Sequence, residues 1–237
     1  MVLFISPPFG NYIALPNTVS ITGSYTLERR TGLFLQVIKT FRYSFEHNGW
    51  INKIGLRNKG LDYAIQNYSK NKITSIAILK EEEIPKILDK IPEDMNIELN
   101  ISCPNIDKNL VSNDIGEFIN LKREWCILKL SPLVKIHEVD SYYDIGFRQF
   151  HCSNTLPIKD RGGLSGQSLI PYTSRLIKTI RDKYPDTTII AGGGVRNAET
   201  IKLYQKNGAD HISVSTLCLN PVLFGILYFN DNHLDFI

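Results

Sequence analysis

An α/β fold is what the sequence predicts, specifically one (β/α)8 TIM barrel over residues 1–237 with a β-hairpin inserted after its second strand. Three observations carry this. Eight short apolar or β-branched runs recur along the chain, helix-like segments separate most of them, and the polar and glycine-rich motifs fall at the ends of the runs. Near-continuous apolar strands suit a parallel sheet covered by helices, and strand–helix alternation marks right-handed β-α-β units. At about 150 residues per domain, 237 residues leave one large domain or two small ones. The chain shows no linker, no low-complexity segment and no repeat beyond the β-α unit, which favours one.

The elements follow in order. Residues 2–6 and 19–24 read as the first two strands. Residues 34–46 break the rhythm: Phe41, Tyr43 and Phe45 alternate with Arg42, Ser44 and Glu46 before the turn dipeptide Asn48-Gly49. That pattern predicts the hairpin, on the face that carries the βα loops. Residues 59–68 form a helix with Leu61, Ala64, Ile65 and Tyr68 on one stripe, and 73–79 the third strand. Residues 81–90 open with three glutamates, which suit a positive helix N-terminus. Strands over 96–102, 125–131, 149–154, 187–191 and 211–217 complete the set, with helices over 115–122, 169–183 and 197–207. The last helix has Asn197 as N-cap and Gly208 just beyond its end.

Composition narrows the function. Hydrophobic residues at 43% and charged residues at 22% exclude global disorder. The net charge of +3 is too small to argue for nucleic acid or an anionic membrane surface. Cys103, Cys126, Cys152 and Cys218 contain no CxxC pair, against a zinc ribbon or a disulfide framework, and the five histidines show no metal spacing. No run of 18 apolar residues exists, and Pro7-Pro8 interrupts an N-terminus without a basic region. A cytoplasmic protein with reduced thiols and no membrane segment is expected.

The chemistry gathers at strand ends, where barrel enzymes carry their sites. Strand four ends in Asn100-Ile101-Ser102-Cys103-Pro104-Asn105, strand five in Lys129-Leu130-Ser131-Pro132 and strand six in Ser153-Asn154-Thr155. Strand seven runs into Gly192-Gly193-Gly194, and strand eight into Ser215-Thr216. Glycines before a helix N-terminus let backbone approach an anion, so the last two predict a phosphate site. Residues 162–166 read either as a lid or linker, or as a glycine loop folded over a planar ligand. Cys103 faces the barrel mouth, and a thiol can act as general base where its site lowers its pKa. Cys126, Cys152 and Cys218 read as buried hydrophobes. Lys129 is either a solvated strand end or a cation beside a ring that gains negative charge. Asn52, Asn100, Asn105 and Asn154 are neutral donors and acceptors that suit an imide or amide ring. No histidine stands out as a catalyst.

Asn-Ile-Ser-Cys-Pro-Asn at 100–105, then Lys-Leu-Ser-Pro, Asn-Thr, Gly-Gly-Leu-Ser-Gly and Gly-Gly-Gly-Val in that order, resembles the dihydroorotate dehydrogenase family. Gly23-Ser24-Tyr25-Thr26 is similar to that family's strand-two end, and residues 52–58 to its asparagine–glycine–leucine substrate loop. Coverage runs from about Ser6 to Thr216. The resemblance implies an FMN-containing barrel that oxidises dihydroorotate to orotate in pyrimidine biosynthesis. Cys103 would take a proton from C5 of the substrate while hydride leaves C6 for the flavin, and Lys129 would contact the flavin ring. Asn52, Ile54, Gly55, Leu56, Asn100, Asn105, Asn154 and Thr155 would hold the pyrimidine. Ser6, Ser24, Asn52, Asn100, Lys129, Ser153, Thr155, Gly166, Gly193, Gly194, Ser215 and Thr216 would hold the cofactor. A cysteine base is similar to the soluble class 1 enzymes, which implies a homodimer; the electron-acceptor partner is named by no residue.

The chain departs from the family pattern at one cation. Class 1 members place a lysine where this chain has Gly23, and class 2 members place one near Asn11. Two other readings therefore accompany the main one. A dihydrouridine synthase-like enzyme is also a flavin barrel with a strand-four cysteine, but its kind adds an RNA-binding domain. A flavin-binding subunit or scaffold that has lost orotate chemistry would explain the missing lysine, and Cys103 and Lys129 argue against it.

Overall fold

The computed structural model describes residues 1–101 and 113–229. Its strands are β1 (Leu3–Ile5), β2 (Thr18–Tyr25), β3 (Arg42–Ser44), β4 (Gly49–Asn52), β5 (Lys72–Ala77), β6 (Ile97–Asn100), β7 (Cys126–Leu130), β8 (Gln149–Cys152), β9 (Leu156–Ile158), β10 (Gly162–Gly166), β11 (Thr188–Ala191) and β12 (His211–Val214). The helices are α1 (Leu33–Thr40), α2 (Leu61–Gln66), α3 (Ile84–Lys90), α4 (Ile136–Ile145), α5 (Ile170–Lys183), α6 (Ala198–Lys206) and α7 (Pro221–Phe229).

Eight parallel strands close into a barrel in the order β1-β12-β11-β8-β7-β6-β5-β2, the (β/α)8 arrangement the sequence predicts. Closure is made by β1, which pairs in parallel with β12 (Leu3↔Ile212) and with β2 (Leu3↔Thr18). Closing the sheet removes its edges, and with them the unpaired backbone groups that an open sheet exposes.

The barrel interior is divided along its axis. Phe4, Ile21, Ile73, Ile127 and Ile190 form one fully buried cluster, with Val2, Val19 and Trp125 packed against it. Side chains two apart on a strand share a face, so the next inward positions on the same strands are Ser6, Gly23, Ser75, Lys129 and Gly192. The interior thus changes from aliphatic to small, polar and cationic within one step toward the C-terminal mouth. A second and larger cluster, including Leu99, Leu128, Phe150, Ile177, Ile189 and Tyr204, fills the layer between the strands and the helices.

Several expectations need correction. Residues 34–40, expected in a hairpin, lie in α1, which starts after Gly32 at φ 84°. Beyond it β3 pairs antiparallel with β4, but β4 also pairs with β10 and β10 with β9, making a four-stranded sheet. Residues 162–166 are therefore a strand rather than a loop. The cause is a small core of their own, Ile51, Leu156, Leu164 and Leu169, which an isolated hairpin would leave in water. Residues 113–118 form a 3-10 turn where a helix over 115–122 was expected, and residues 81–83 form another before α3.

Candidate active site

One cleft opens at the C-terminal end of the barrel. Its walls come from five strand ends: Ser6 after β1, Lys129 on β7, Ser153, Asn154 and Thr155 after β8, Gly192, Gly193 and Gly194 after β11, and Ser215 and Thr216 after β12. Gly166 at the end of β10 closes the side, and His151 on β8 joins the lining. Of the residues the sequence singles out for a cofactor, Ser6, Lys129, Ser153, Thr155, Gly166, Gly193, Gly194, Ser215 and Thr216 meet here. Ser24, Asn52 and Asn100 are absent from this lining, as are Ile54, Gly55 and Leu56. Cys103 and Asn105 lie outside the described residues.

The glycine wall is built for closeness. Gly193 and Gly194 hold φ of 87° and 78°, a left-handed region that side chains rarely adopt. A Cβ on Gly194 would lie 2.7 Å from Ile170 Cγ1 and 2.9 Å from the Gly166 carbonyl oxygen. The run leads into α6, whose N-cap Asn197 accepts a hydrogen bond from the Thr200 N–H at 3.0 Å. Glycine backbone ahead of a capped helix N-terminus is a favourable setting for a phosphate.

Beneath the mouth runs a continuous polar chain. The Thr155 N–H donates to Asn154 Oδ1 (2.8 Å), and Asn154 Nδ2 donates to Asn100 Oδ1 (2.9 Å). Asn100 Nδ2 donates to Ser24 Oγ (3.0 Å), whose hydroxyl lies 2.8 Å from that of Ser75. Ser75 Oγ donates to Glu98 Oε1 at 2.7 Å, the same oxygen that accepts from Lys129 Nζ at 3.2 Å. The other oxygen, Glu98 Oε2, lies 2.5 Å from His151 Nδ1. Ser24 and Asn100 thus reach the cleft through this chain, although they are not part of its wall.

The electrostatics follow from burial. Glu98 has no exposed surface and His151 is 1% exposed. Burial raises the Glu98 carboxyl, but the Lys129 ammonium, His151 and two hydrogen bonds outweigh it and hold it below the usual range. Burial, joined by Lys129, pushes His151 below its ordinary value against the pull of Glu98. At neutral pH Glu98 is therefore an ionised carboxylate and His151 a neutral imidazole, with Lys129 Nζ bonded to the carboxylate. Sequence reasoning found Lys129 and missed both partners. The available signal was period two: Glu98 precedes Asn100 by two residues on one strand, so the two share its inner face.

The remaining candidates lie beside the cleft. Asn52 ends β4 and accepts from the Ile54 N–H at 3.4 Å. The loop after it passes through Gly55 at φ 69° and Leu56 at φ 53°. Asn58 ties that loop to the end of β2, accepting from the N–H groups of Thr26 (3.2 Å) and Gly60 (2.7 Å). Thr155 packs against β10 so closely that a Cβ on Gly163 would lie 2.4 Å from its Oγ1. The other three cysteines are buried or half-buried, and burial raises their thiols, Cys126 to about 12 and Cys218 to about 11.

No family model matches the chain. Curated relatives do. The catalytic subunit of dihydroorotate dehydrogenase B (NAD(+)) from Staphylococcus carnosus is 28% identical over 211 residues, covering 75% of this chain and 69% of that protein. The same subunit from Geotalea uraniireducens is 30% identical over 204 residues, covering 71% and 66%. A putative dihydroorotate dehydrogenase A (fumarate) from Streptococcus agalactiae serotype Ia is 28% identical over 236 residues, covering 83% and 74%. This chain belongs to the dihydroorotate dehydrogenase family.

It is a divergent dihydroorotate dehydrogenase homologue, and the divergence has a structural form. At Gly23, φ is 114° and a Cβ would lie 2.5 Å from the Ser75 carbonyl oxygen. The position that carries a lysine in class 1 members has no room for a side chain here. Asn11, where class 2 members carry theirs, accepts the Gly23 N–H at 2.8 Å and donates to its carbonyl at 3.3 Å. In this dihydroorotate dehydrogenase relative the two positions are bonded to each other. Among the described residues, no helix is long and apolar enough to cross a membrane.

Proposed function

We propose that the protein is an FMN-dependent oxidoreductase that converts dihydroorotate to orotate, with Cys103 as the base. The observation that carries the reading is the cleft itself. In a chain of this family, it brings a glycine cradle and a buried ammonium to the C-terminal mouth of one barrel.

The residues present fit FMN. The left-handed backbone of Gly193 and Gly194, at Gly194 packed too closely for a Cβ, suits a phosphate with Ser215 and Thr216 beside it. Lys129, 7% exposed, supplies a fixed positive charge within the same cleft. When bound, the cofactor supplies the acceptor for hydride from C6 of the substrate. The protein's part is then to bind, orient and move a proton. Cys103 takes the C5 proton on its sulfur. Asn154, on the cleft wall and donating through its Nδ2 to Asn100, offers its amide to an imide ring. Lys129 stabilises negative charge at the mouth, and Glu98 holds it in place by accepting from its Nζ at 3.2 Å. The described cysteines support Cys103, since burial disfavours a thiolate at each of the other three.

Anaerobic titration tests the reading. Protein loaded with FMN should be bleached by dihydroorotate, and Cys103→Ala should retain FMN while losing that reduction. Protein that takes up no FMN would sink the proposal. A flavin that dihydroorotate leaves oxidised would favour the scaffold reading instead, which the closed Gly23 position supports.

A further inference from the structure

Under the cleft floor, the carboxylate–ammonium–imidazole group contains one member for which the proposed reaction has no use. His151 sits on β8 directly beside Lys129 of β7 in the parallel register, and both point into the barrel. Its Nδ1 is engaged by Glu98 Oε2 at 2.5 Å. A carboxylate accepts, so Nδ1 carries the hydrogen and Nε2 of the neutral ring holds the lone pair. That nitrogen is directed at the cleft wall: a Cβ on Gly192 would lie 3.0 Å from it, and Gly192 and His151 both line the cleft.

Charge counting shows what this arrangement is prepared for. Ionised Glu98 cancels the Lys129 ammonium, and the neutral imidazole adds nothing. If negative charge then develops against Lys129, the buried group as a whole becomes an uncompensated anion, which a low-dielectric interior penalises strongly. One group is placed to restore neutrality. His151 has a free lone pair, a carboxylate already bonded to its other nitrogen and an edge on the cleft. Among the described residues, the charged groups that face it are Glu98 from β6 and Lys129 from β7. Neighbouring β5, β11 and β12 bring Ser75, Gly192 and Ser213, none of which titrates near neutral pH.

We propose that His151 takes up one proton from solvent at Nε2 when negative charge develops against Lys129, with Glu98 holding the resulting imidazolium at Nδ1. His151 is therefore a positioning residue that acts through Glu98, with no bond made to substrate. The inference rests on the reading that the cleft holds FMN. The proton is additional to those of the reaction: hydride carries two electrons and one hydrogen to the cofactor, the C5 proton goes to Cys103, and the third comes from water. Without a bound anion, burial and Lys129 keep the imidazole neutral. With one, its proton affinity has to rise about a hundredfold for the ring to be neutral before reduction and charged after it at pH 7.

The test measures the two-electron midpoint potential of bound FMN against pH, with dithionite as reductant so that the result does not depend on dihydroorotate. For a two-electron couple each proton taken up contributes about 30 mV per pH unit. The wild type should fall by about 60 mV per unit across neutral pH, and His151→Asn by about 30 mV. Equal slopes in the two proteins would overturn the proposal. Should His151→Asn fail to fold or to bind FMN, nitrogen NMR of the wild-type imidazole at pH 7 decides the matter. Conversion to imidazolium on reduction supports the proposal, and an unmoved signal overturns it. FMN that binds but resists dihydroorotate removes the proposed substrate and leaves these measurements valid. A wild type that binds no FMN removes both.

Discussion

Glu98 is a carboxylate with no exposed surface, bonded to Lys129, Ser75 and His151 from three other strands. Ion pairs of this kind are weak evidence for stability, because desolvation consumes most of the Coulomb gain. Removing one partner is a different matter, since it strands the other charge. Glu98→Gln should lower unfolding stability by about 3–5 kcal/mol, measured by urea denaturation, and Glu98→Gln with Lys129→Met should recover most of the loss. The pH dependence has a definite sign. The carboxyl is lowered from 4.5 to about 2 on folding, so its contribution is complete above pH 4.5 and disappears as pH falls through about 2. The urea midpoint of the wild type should drop across that window, and Glu98→Gln should lack this component. Lys129, Asn100 and Asn154 stood out in the sequence because each lies at or just beyond the end of an apolar run. The partners of Lys129 did not, for Glu98 lies 31 residues from it in sequence and His151 lies 53 from Glu98. Their meeting is a product of barrel register, which one strand's pattern does not encode.

At the scale of elements, the glycine run and α6 act as one device. Asn197 holds the helix start through two hydrogen bonds, from the Thr200 N–H at 3.0 Å and its hydroxyl at 2.7 Å. Asn197→Ala should cost about 1 kcal/mol of stability, typical of a lost N-cap, and should weaken FMN retention measured by flavin release on dilution. Unchanged retention would place the phosphate elsewhere. This cap was legible because Asn197 directly precedes an amphipathic stripe and Gly208 follows it. All eight barrel strands were legible for a similar reason, each being a short apolar run. Three helices escaped. The apolar side chains of α1 are Leu33, Phe34, Leu35, Val37 and Ile38, none of them buried, so no core-facing stripe marks it. In α4 only Val139 and Tyr142 are buried, too few to stand out, while α7 is apolar along nearly its whole length with only Leu227 buried. The strand over 162–166 was hidden by its glycines, which pair well because β4 and Thr155 approach where a side chain would sit.

At the scale of the molecule, the cleft depends on a closure made by the first and last barrel strands. Ser6 and Ser215 reach it only because β1 pairs with β12 through Leu3↔Ile212, Phe4↔Ser213 and Ile5↔Val214. The aliphatic half of the barrel depends on the same junction. Trp125, packed under that half, meets Phe4 at 5.3 Å and His211 at 5.7 Å between ring centroids, so one indole reports on both partners of the seam. The other tryptophan, Trp50, lies on β4 in the four-stranded sheet and is removed by Trp50→Phe. In that background, a chain ended after residue 210 lacks β12 and leaves β1 and β11 with open edges. Such edges cost the barrel its backbone pairing and expose the aliphatic layer to water. The truncated chain should therefore show red-shifted Trp125 emission and no cooperative urea transition, whereas a chain ended after residue 220 keeps the seam and should keep Trp125 buried and the transition cooperative. A cooperative transition with buried Trp125 in the shorter chain would show that seven strands suffice, and that the polar mouth is assembled independently of closure.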